Sequence, residues 1–393
     1  MNSKNLELCR SLAPRLGWER AAPTASRPLR APGVPLAPLR RALRRAERPQ
    51  IIVNDSARVP LLELAAVLGD LWEHARERPI LVATGTHAED LGRMRDRLGG
   101  LPCELHVASD AESHGALGSG SEWRLDRRVL EADLVVAFGS VEPHYFAGWA
   151  GAHKTATIGV AARETIAANH EHALSLDSRP LALDGNPVFE GLRQLLDGLE
   201  SGRRLLAVNH VLDGAGRPLA VGVGTWRGAL QRVLPAAERR FVAPREEPVD
   251  VLVTCPEGPL AQSLYQADKA IKNHEAVIKS GGDVVIWSEE LDAAGSDRFL
   301  TLLRGAPDHA AALAEVERAG YVLGDHKAVR LRALEARGVR IHVAAPALDP
   351  EVLAGTGIAH YASLEAALAA VRAPSGRGLV VEDAGVLVSA LRT

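Results

Sequence analysis

From Gln50 onward, short runs of consecutive apolar residues alternate with stretches of helical periodicity. This alternation constrains the fold more than any other feature. Strands that are apolar on both faces must be covered on both sides, which calls for a mainly parallel sheet with helices on each face. Residues 51–54, 80–83, 104–107 and 133–139 read as strands, and 61–73 and 89–98 as helices. A second series begins near Pro248, with strands at 249–255, 283–288 and 339–345. It has a long helix over 262–279, ended by Gly281 and Gly282, and another over 328–337. The expected architecture is therefore two α/β domains with mainly parallel sheets and a ligand cleft between them. The first spans 1–247, completed by a last strand within 376–393, and the second spans 248–375. Residues before Pro49, rich in Pro, Arg and Ala, read as an irregular arm, whose basic stretch 28–49 is a solvated arm followed by a short basic helix.

The chain has 393 residues, enough for two cores, and no internal repeat. A net charge of -3 gives no electrostatic case for a nucleic-acid partner. There is no run of about 18 apolar residues to span a membrane, and the opening residues lack the pattern of a secretory signal. Only three cysteines occur, Cys9, Cys103 and Cys255, far apart in the sequence. That spacing argues against a disulfide framework or a thiolate zinc site and suits a reducing cytoplasm.

Four segments carry residues suited to chemistry. At the end of the first strand, Asp55 precedes Arg58 by three residues. Such an Asp can hold the guanidinium in a pose that grips a carboxylate bidentately. Equally, Asp55 can be a helix N-cap and Arg58 a surface charge. After the second strand comes Ala83-Thr84-Gly85-Thr86-His87, a tight turn bearing a histidine. The densest segment runs from Ser140 through Pro143, His144, Gly148, Trp149, Gly151, Ala152, His153 and Lys154 to Asn169, His170 and His172. Its glycines allow close backbone approach, a buried Lys154 can act as a nucleophile or tether, and imidazole suits nickel, zinc or copper. His153 and His172 are the members most readily assigned a structural role. Last, Gln266 and Lys269 share a helix face and can meet an anion.

Taken in order, these segments resemble the lactate racemase family. They match its Asp-x-x-Arg, Gly-Thr-His, Pro-His-x-x-x-Gly-x-x-Gly-x-x-Lys, Asn-His and Tyr-Gln-x-x-Lys elements between about residues 42 and 345. Gly185-Asn186-Pro187-Val188 also looks like the family. The resemblance implies a nickel-pincer nucleotide, joined to Lys154 through a thioamide, with His170 completing the coordination of the nickel. It implies His87 and His144 as the acid/base pair on opposite faces of a 2-hydroxy acid. Arg58, oriented by Asp55, and Lys269 would grip the substrate carboxylate, and Gln266 would lie near the cofactor. The implied reaction is inversion at C2 by removal and return of hydride through a planar keto acid, in an isomerase that depends on cofactor-making enzymes as partners. This chain departs from the pattern at Ala152 and His153, beside the tether, at Ile158 and at Val59. It also has no tryptophan after Trp287. Trp149 and Tyr145 point to a substrate side chain larger than methyl. Two other readings compete: a zinc metallohydrolase using His87, His144 and His170, and a binding protein that kept the fold without the chemistry.

Overall fold

The computed structural model describes residues 3–22, 33–76, 78–118 and 120–392. Two six-stranded sheets form the frame. The first is ordered Pro218–Gly224, Arg204–Leu212, Leu134–Ser140, Pro49–Asn54, Ile80–Ala83, Cys103–Leu105. All its neighbours run parallel except the outermost pair, Pro218–Gly224 against Arg204–Leu212. The strands Ile80–Ala83 and Leu134–Ser140 are buried along their whole length, as apolar runs covered on both faces must be. Separate apolar clusters fill the two faces of this sheet, one around Val135, Ala137 and Leu196 and the other around Val136, Phe138 and Leu68.

The second sheet is wholly parallel, ordered Glu19–Ala21, Gly378–Glu382, Val249–Cys255, Ile278–Trp287, Arg340–Ala344, Ala359–Tyr361. Two expectations are corrected by it. The last long strand, Gly378–Glu382, does not return to the first sheet but lies beside Val249–Cys255 in the second. The N-terminal residues are not an irregular arm: helix Ser3–Leu16 and strand Glu19–Ala21 close the edge of that sheet. Leu12, Ala13 and Trp18 pack against Val251, Val253 and Val380. Trp18 lies so close to Gly378 that a Cβ there would fall 2.0 Å from the indole. Glu382, almost fully buried, draws both Arg10 and Arg20 to within 3.1 Å. Such long-range pairings leave no local periodicity to read.

Of the basic stretch, residues 28–32 lie outside the described residues. Leu36–Arg45 is a helix that buries Leu39, Ala42 and Leu43 and turns its arginines outward, Arg40 toward Asp70. The long helix expected over 262–279 stops at Lys272. A 3-10 turn follows at Glu275–Val277, and the strand Ile278–Trp287 takes in both Gly281 and Gly282. Cys103 is buried and free, whereas Cys255 is engaged in a disulfide, which the spacing argument did not anticipate.

Helix Pro187–Glu200 shows how local sequence sets an element beside the site. Asn186 caps it by accepting from the amides of Val188 and Phe189, Pro187 fits the first turn, and Val188, Leu192, Leu195, Leu196 and Leu199 form its buried stripe. Asn186 is fully buried, and its amide also donates to the carbonyls of Phe146, Arg179 and Ala182. Replacing it by Ala strands several buried groups at once. Asn186→Ala is expected to lower unfolding free energy by roughly 2–4 kcal/mol, read from denaturant unfolding; a loss under about 0.5 kcal/mol would show that the cap is dispensable.

Burial also keeps several histidines neutral. It pushes His153 and His274 down from the ordinary 6.5 to about 3, and His210 to about 4. A depressed folded value means that the unfolded chain binds more protons, so this stability is intact above 6.5 and is lost as pH falls toward 3. The melting temperature is expected to fall steadily between pH 6.5 and 4, and a flat profile there would contradict it.

Candidate active site

In the first sheet the chain runs outward from Pro49–Asn54 through Ile80–Ala83 to Cys103–Leu105, then crosses to Leu134–Ser140 on the other side. The strand order thus reverses between Pro49–Asn54 and Leu134–Ser140. The C-terminal ends of strands at such a reversal leave a crevice in which ligands bind. A pocket enclosing about 690 Å³, including its open mouth, lies there. Six of the eight residues singled out from sequence line it: Asp55, Arg58, His87, His144, Lys154 and His170. The other two, Gln266 and Lys269, lie on helix Leu264–Lys272 beside the second sheet and are not among its walls.

Asn54, the last residue of its strand, ties the crevice together. Its Oδ1 accepts from the Ser140 amide at 3.0 Å and its Nδ2 donates to Thr155 at 2.9 Å. The next residue corrects a sequence expectation. Asp55 does not orient Arg58; its Oδ2 is 2.7 Å from Nδ1 of His87. Gly85, with φ of +55°, allows the tight turn that brings His87 back over the strand end. Arg58 instead reaches across the crevice to Glu142, whose other oxygen accepts from the Ser140 hydroxyl at 2.7 Å. Sequence reasoning passed over Glu142, although it stands two residues before His144 in the densest segment. The pairing depends on two strands far apart in sequence lying side by side.

The loop after Leu134–Ser140 is a small hairpin in which Pro143 pairs with Trp149 and His144 with Gly148. Gly148 has φ of +74°, and a Cβ there would fall 2.0 Å from the Ala182 carbonyl oxygen, so no other residue fits. Lys154 sits on the helical turn Ala152–Thr155. The departures beside it are accounted for by packing. Ala152 is buried in the apolar cluster and donates its amide to Asn209 at 2.8 Å. His153 turns away from the pocket, meeting the Trp149 carbonyl at 3.1 Å and packing on Phe189 and Trp226. His172 is exposed. Trp149 and Tyr145 are both buried outside the pocket walls, so they do not set the size of its ligand.

Charge is unevenly balanced here. Among the described residues Lys154 has no hydrogen bond or ion pair to a side chain, while Arg58 and Lys269 lie nearby. Burial, then those two cations, hold its amine well below the ordinary lysine value, so a neutral nucleophile is accessible. Burial and then Lys154 bring His170 to about 3, leaving a neutral imidazole whose buried Nδ1 has no partner. Burial, helped by Lys327 and Arg58, lowers Lys269 to about 7.

The second sheet's helices close against this loop. The hydroxyl of Tyr145 is 3.2 Å from Nε2 of His326, whose Nδ1 is 2.7 Å from the hydroxyl of Tyr321. Arg330 donates to the Ser178 carbonyl, and Lys269 Nζ stands 5.9 Å from the Tyr145 ring centre.

Two family models match the chain. The lactate racemase N-terminal domain matches residues 24–180 and the lactate racemase C-terminal domain residues 245–387. This protein belongs to the lactate racemase family. Among curated relatives, the lactate racemase of Thermoanaerobacterium thermosaccharolyticum is 29% identical over 242 residues, 58% of this chain and 56% of that one. The lactate racemase of Lactiplantibacillus plantarum is 28% identical over 240 residues, again 58% and 56%. The alignments thus span little more than half the length of these relatives. The fold of this family member is like that of the lactate racemase apoprotein from Thermoanaerobacterium thermosaccharolyticum, with a TM-score of 0.78 and 24% identity over 90% of this chain and 89% of that one. A Thermotoga maritima protein shares the fold at a TM-score of 0.65 and 14% identity, over 90% and 97%. No helix among the described residues is long and apolar enough to cross a membrane.

Proposed function

We propose that this protein is an isomerase that inverts C2 of a small 2-hydroxy acid with the help of a nickel-pincer nucleotide. The observation that carries this reading is the convergence in one pocket of Lys154, His170, His87, His144 and Arg58. The residues fit such a group. Lys154 offers an unpaired amine, His170 a neutral imidazole, and the crevice has room beside them. No three His, Cys, Asp or Glu residues among those described are grouped to hold a metal ion. That disfavours the zinc hydrolase, which needs about three protein ligands, but suits a metal whose remaining donors come from its cofactor. When bound, the nucleotide supplies the hydride acceptor.

The chain's own residues do the rest. Arg58, fixed by Glu142, keeps donors free to grip the substrate carboxylate. His87 and His144 face the C2 hydroxyl and move or hold its proton. Lys269 and Gln266 approach from the second sheet's side, and closure of the two halves keeps water from the keto acid. The relatives' name makes lactate the first acid to try. The test is a screen of 2-hydroxy acids with cofactor-loaded enzyme, following C2 configuration by chiral chromatography. Inversion of at least one acid is expected, and none with the cofactor confirmed on the protein would overturn the reading.

A further inference from the structure

A second cavity, of about 870 Å³ including its open mouth, lies where the two halves of the molecule meet. It shares no lining residue with the active-site crevice. The loop 176–181 of the first half forms one wall. The end of helix Leu264–Lys272, the turn Glu275–Val277 and the last part of helix Asp325–Ala336 form the other, and strand Val388–Leu391 also lines it.

The lining is mostly apolar, with Leu176, Pro180, Leu181, Ala276, Leu334 and Val388 among its residues. Leu176 is left exposed to water by the fold. Three cations stand in the walls, Arg179, Lys272 and Arg337, against one carboxylate, Glu275. That carboxylate is already taken up. Lys272 donates to one oxygen at 2.9 Å, and Arg330 stands 3.4 Å from the other. Among the described residues the guanidinium of Arg337 meets only backbone carbonyls, those of Glu275 and Ile278. That of Arg179 has no hydrogen bond or ion pair among them. Two positive charges are therefore unbalanced beside an apolar surface, which favours an anion with an apolar body.

The cavity is preformed and joined to the elements that carry the active-site residues. Asn273 donates to the carbonyls of Ala384 and Gly385, and the Ser389 hydroxyl lies 2.9 Å from Nδ1 of His274, so these polar groups are pinned. The Leu181 amide donates to the Gly148 carbonyl at 3.1 Å, and the Leu181 carbonyl accepts from the Trp149 indole at 3.1 Å. Lys272 ends the helix that carries Gln266 and Lys269.

We propose that this junction binds an amphipathic monoanion, a carboxylate on an apolar tail, with its head at Arg179 and Arg337 and its tail along the apolar wall. The site is separate from the crevice and does not depend on the racemase reading. Its ligand touches both halves at once and so stabilises the folded molecule.

The test is calorimetric titration of the full-length protein with octanoate. A Kd on the order of 1 mM or tighter is expected, with a higher melting temperature when octanoate is present. Arg58→Ala, which removes the cation of the crevice, should leave this binding unchanged. Octan-1-ol, octylammonium and inorganic phosphate, which lack the charge, its sign or the tail, should each bind at least about 10-fold more weakly. Arg179→Glu should weaken octanoate roughly 3- to 10-fold. Ala333→Phe, at a half-buried position that lines the cavity, should fill it and abolish binding. If that variant fails to fold, Arg179→Glu still decides. No binding at about 10 mM octanoate, loss of binding in Arg58→Ala, affinity unchanged in Arg179→Glu, or any of the three control probes binding as tightly as octanoate would overturn the proposal.

Discussion

Lys154→Ala protein, produced together with the cofactor-making enzymes, is expected to emerge without a covalent adduct and without isomerase activity. The wild type should carry an added mass of several hundred daltons at Lys154, on the order of a mononucleotide, that survives denaturation. The physical basis is an amine held well below the ordinary lysine value by burial and by two neighbouring cations, in a pocket that gives it no partner among the described residues. Lys154→Arg keeps a long side chain but places a permanent cation there and cannot form the amide-like bond, so it should fail as completely as Ala. An adduct that persists in either variant would place the tether elsewhere. Lys154 lies on a helical turn whose buried side is made by Ala152, His153 and Thr155, so Lys154→Ala removes little packing and should fold normally.

Removing Arg58 is expected to give the second largest effect, on substrate binding rather than on turnover. Its guanidinium spans the crevice to Glu142, and Glu142 is braced by the Ser140 hydroxyl. Taking away one partner of a partly buried, hydrogen-bonded charge pair that also grips a ligand costs about 2–5 kcal/mol. KM for the 2-hydroxy acid should therefore rise by roughly 30- to 5000-fold in Arg58→Ala, with kcat changed much less. Glu142→Gln should move KM the same way by a smaller factor, since Arg58 stays but loses its fixed pose. Equal KM in wild type and Arg58→Ala would mean that the carboxylate is bound elsewhere, with Lys269 the next cation to test.

The sequence was most informative where a residue's role is set by its immediate neighbours. Apolar runs such as 80–83 and 134–138 appear as buried strands because an unbroken apolar segment can only be satisfied inside a covered sheet. Asp55, Arg58, His87, His144, Lys154 and His170 could be picked out because all but His170 lie in segments that follow a strand end and because their order resembles a known family. They converge because parallel strands deliver their C-terminal loops to one edge. Helix 262–279 was overextended because its amphipathic pattern runs into a strand with no proline to separate them. Pairing of Ile278 with Val249 of the neighbouring strand decides the change to strand.

Pairings across the fold lay beyond any local pattern. Nothing in the spacing of Asp55 and Arg58 says that the first holds His87 and the second Glu142. An aspartate three residues from an arginine can serve either, and only the side-by-side placement of two strands chooses. The N-terminal helix and strand reach the edge of the second sheet through Trp18 on Gly378 and Arg20 on Glu382, pairs some 360 residues apart in the chain. The sequence by itself determined an α/β chain with a set of chemically apt residues at its strand ends. The tertiary structure decided which of them face each other, and therefore what each can do, because hydrogen-bond partners are chosen by distance in space and not by distance along the chain.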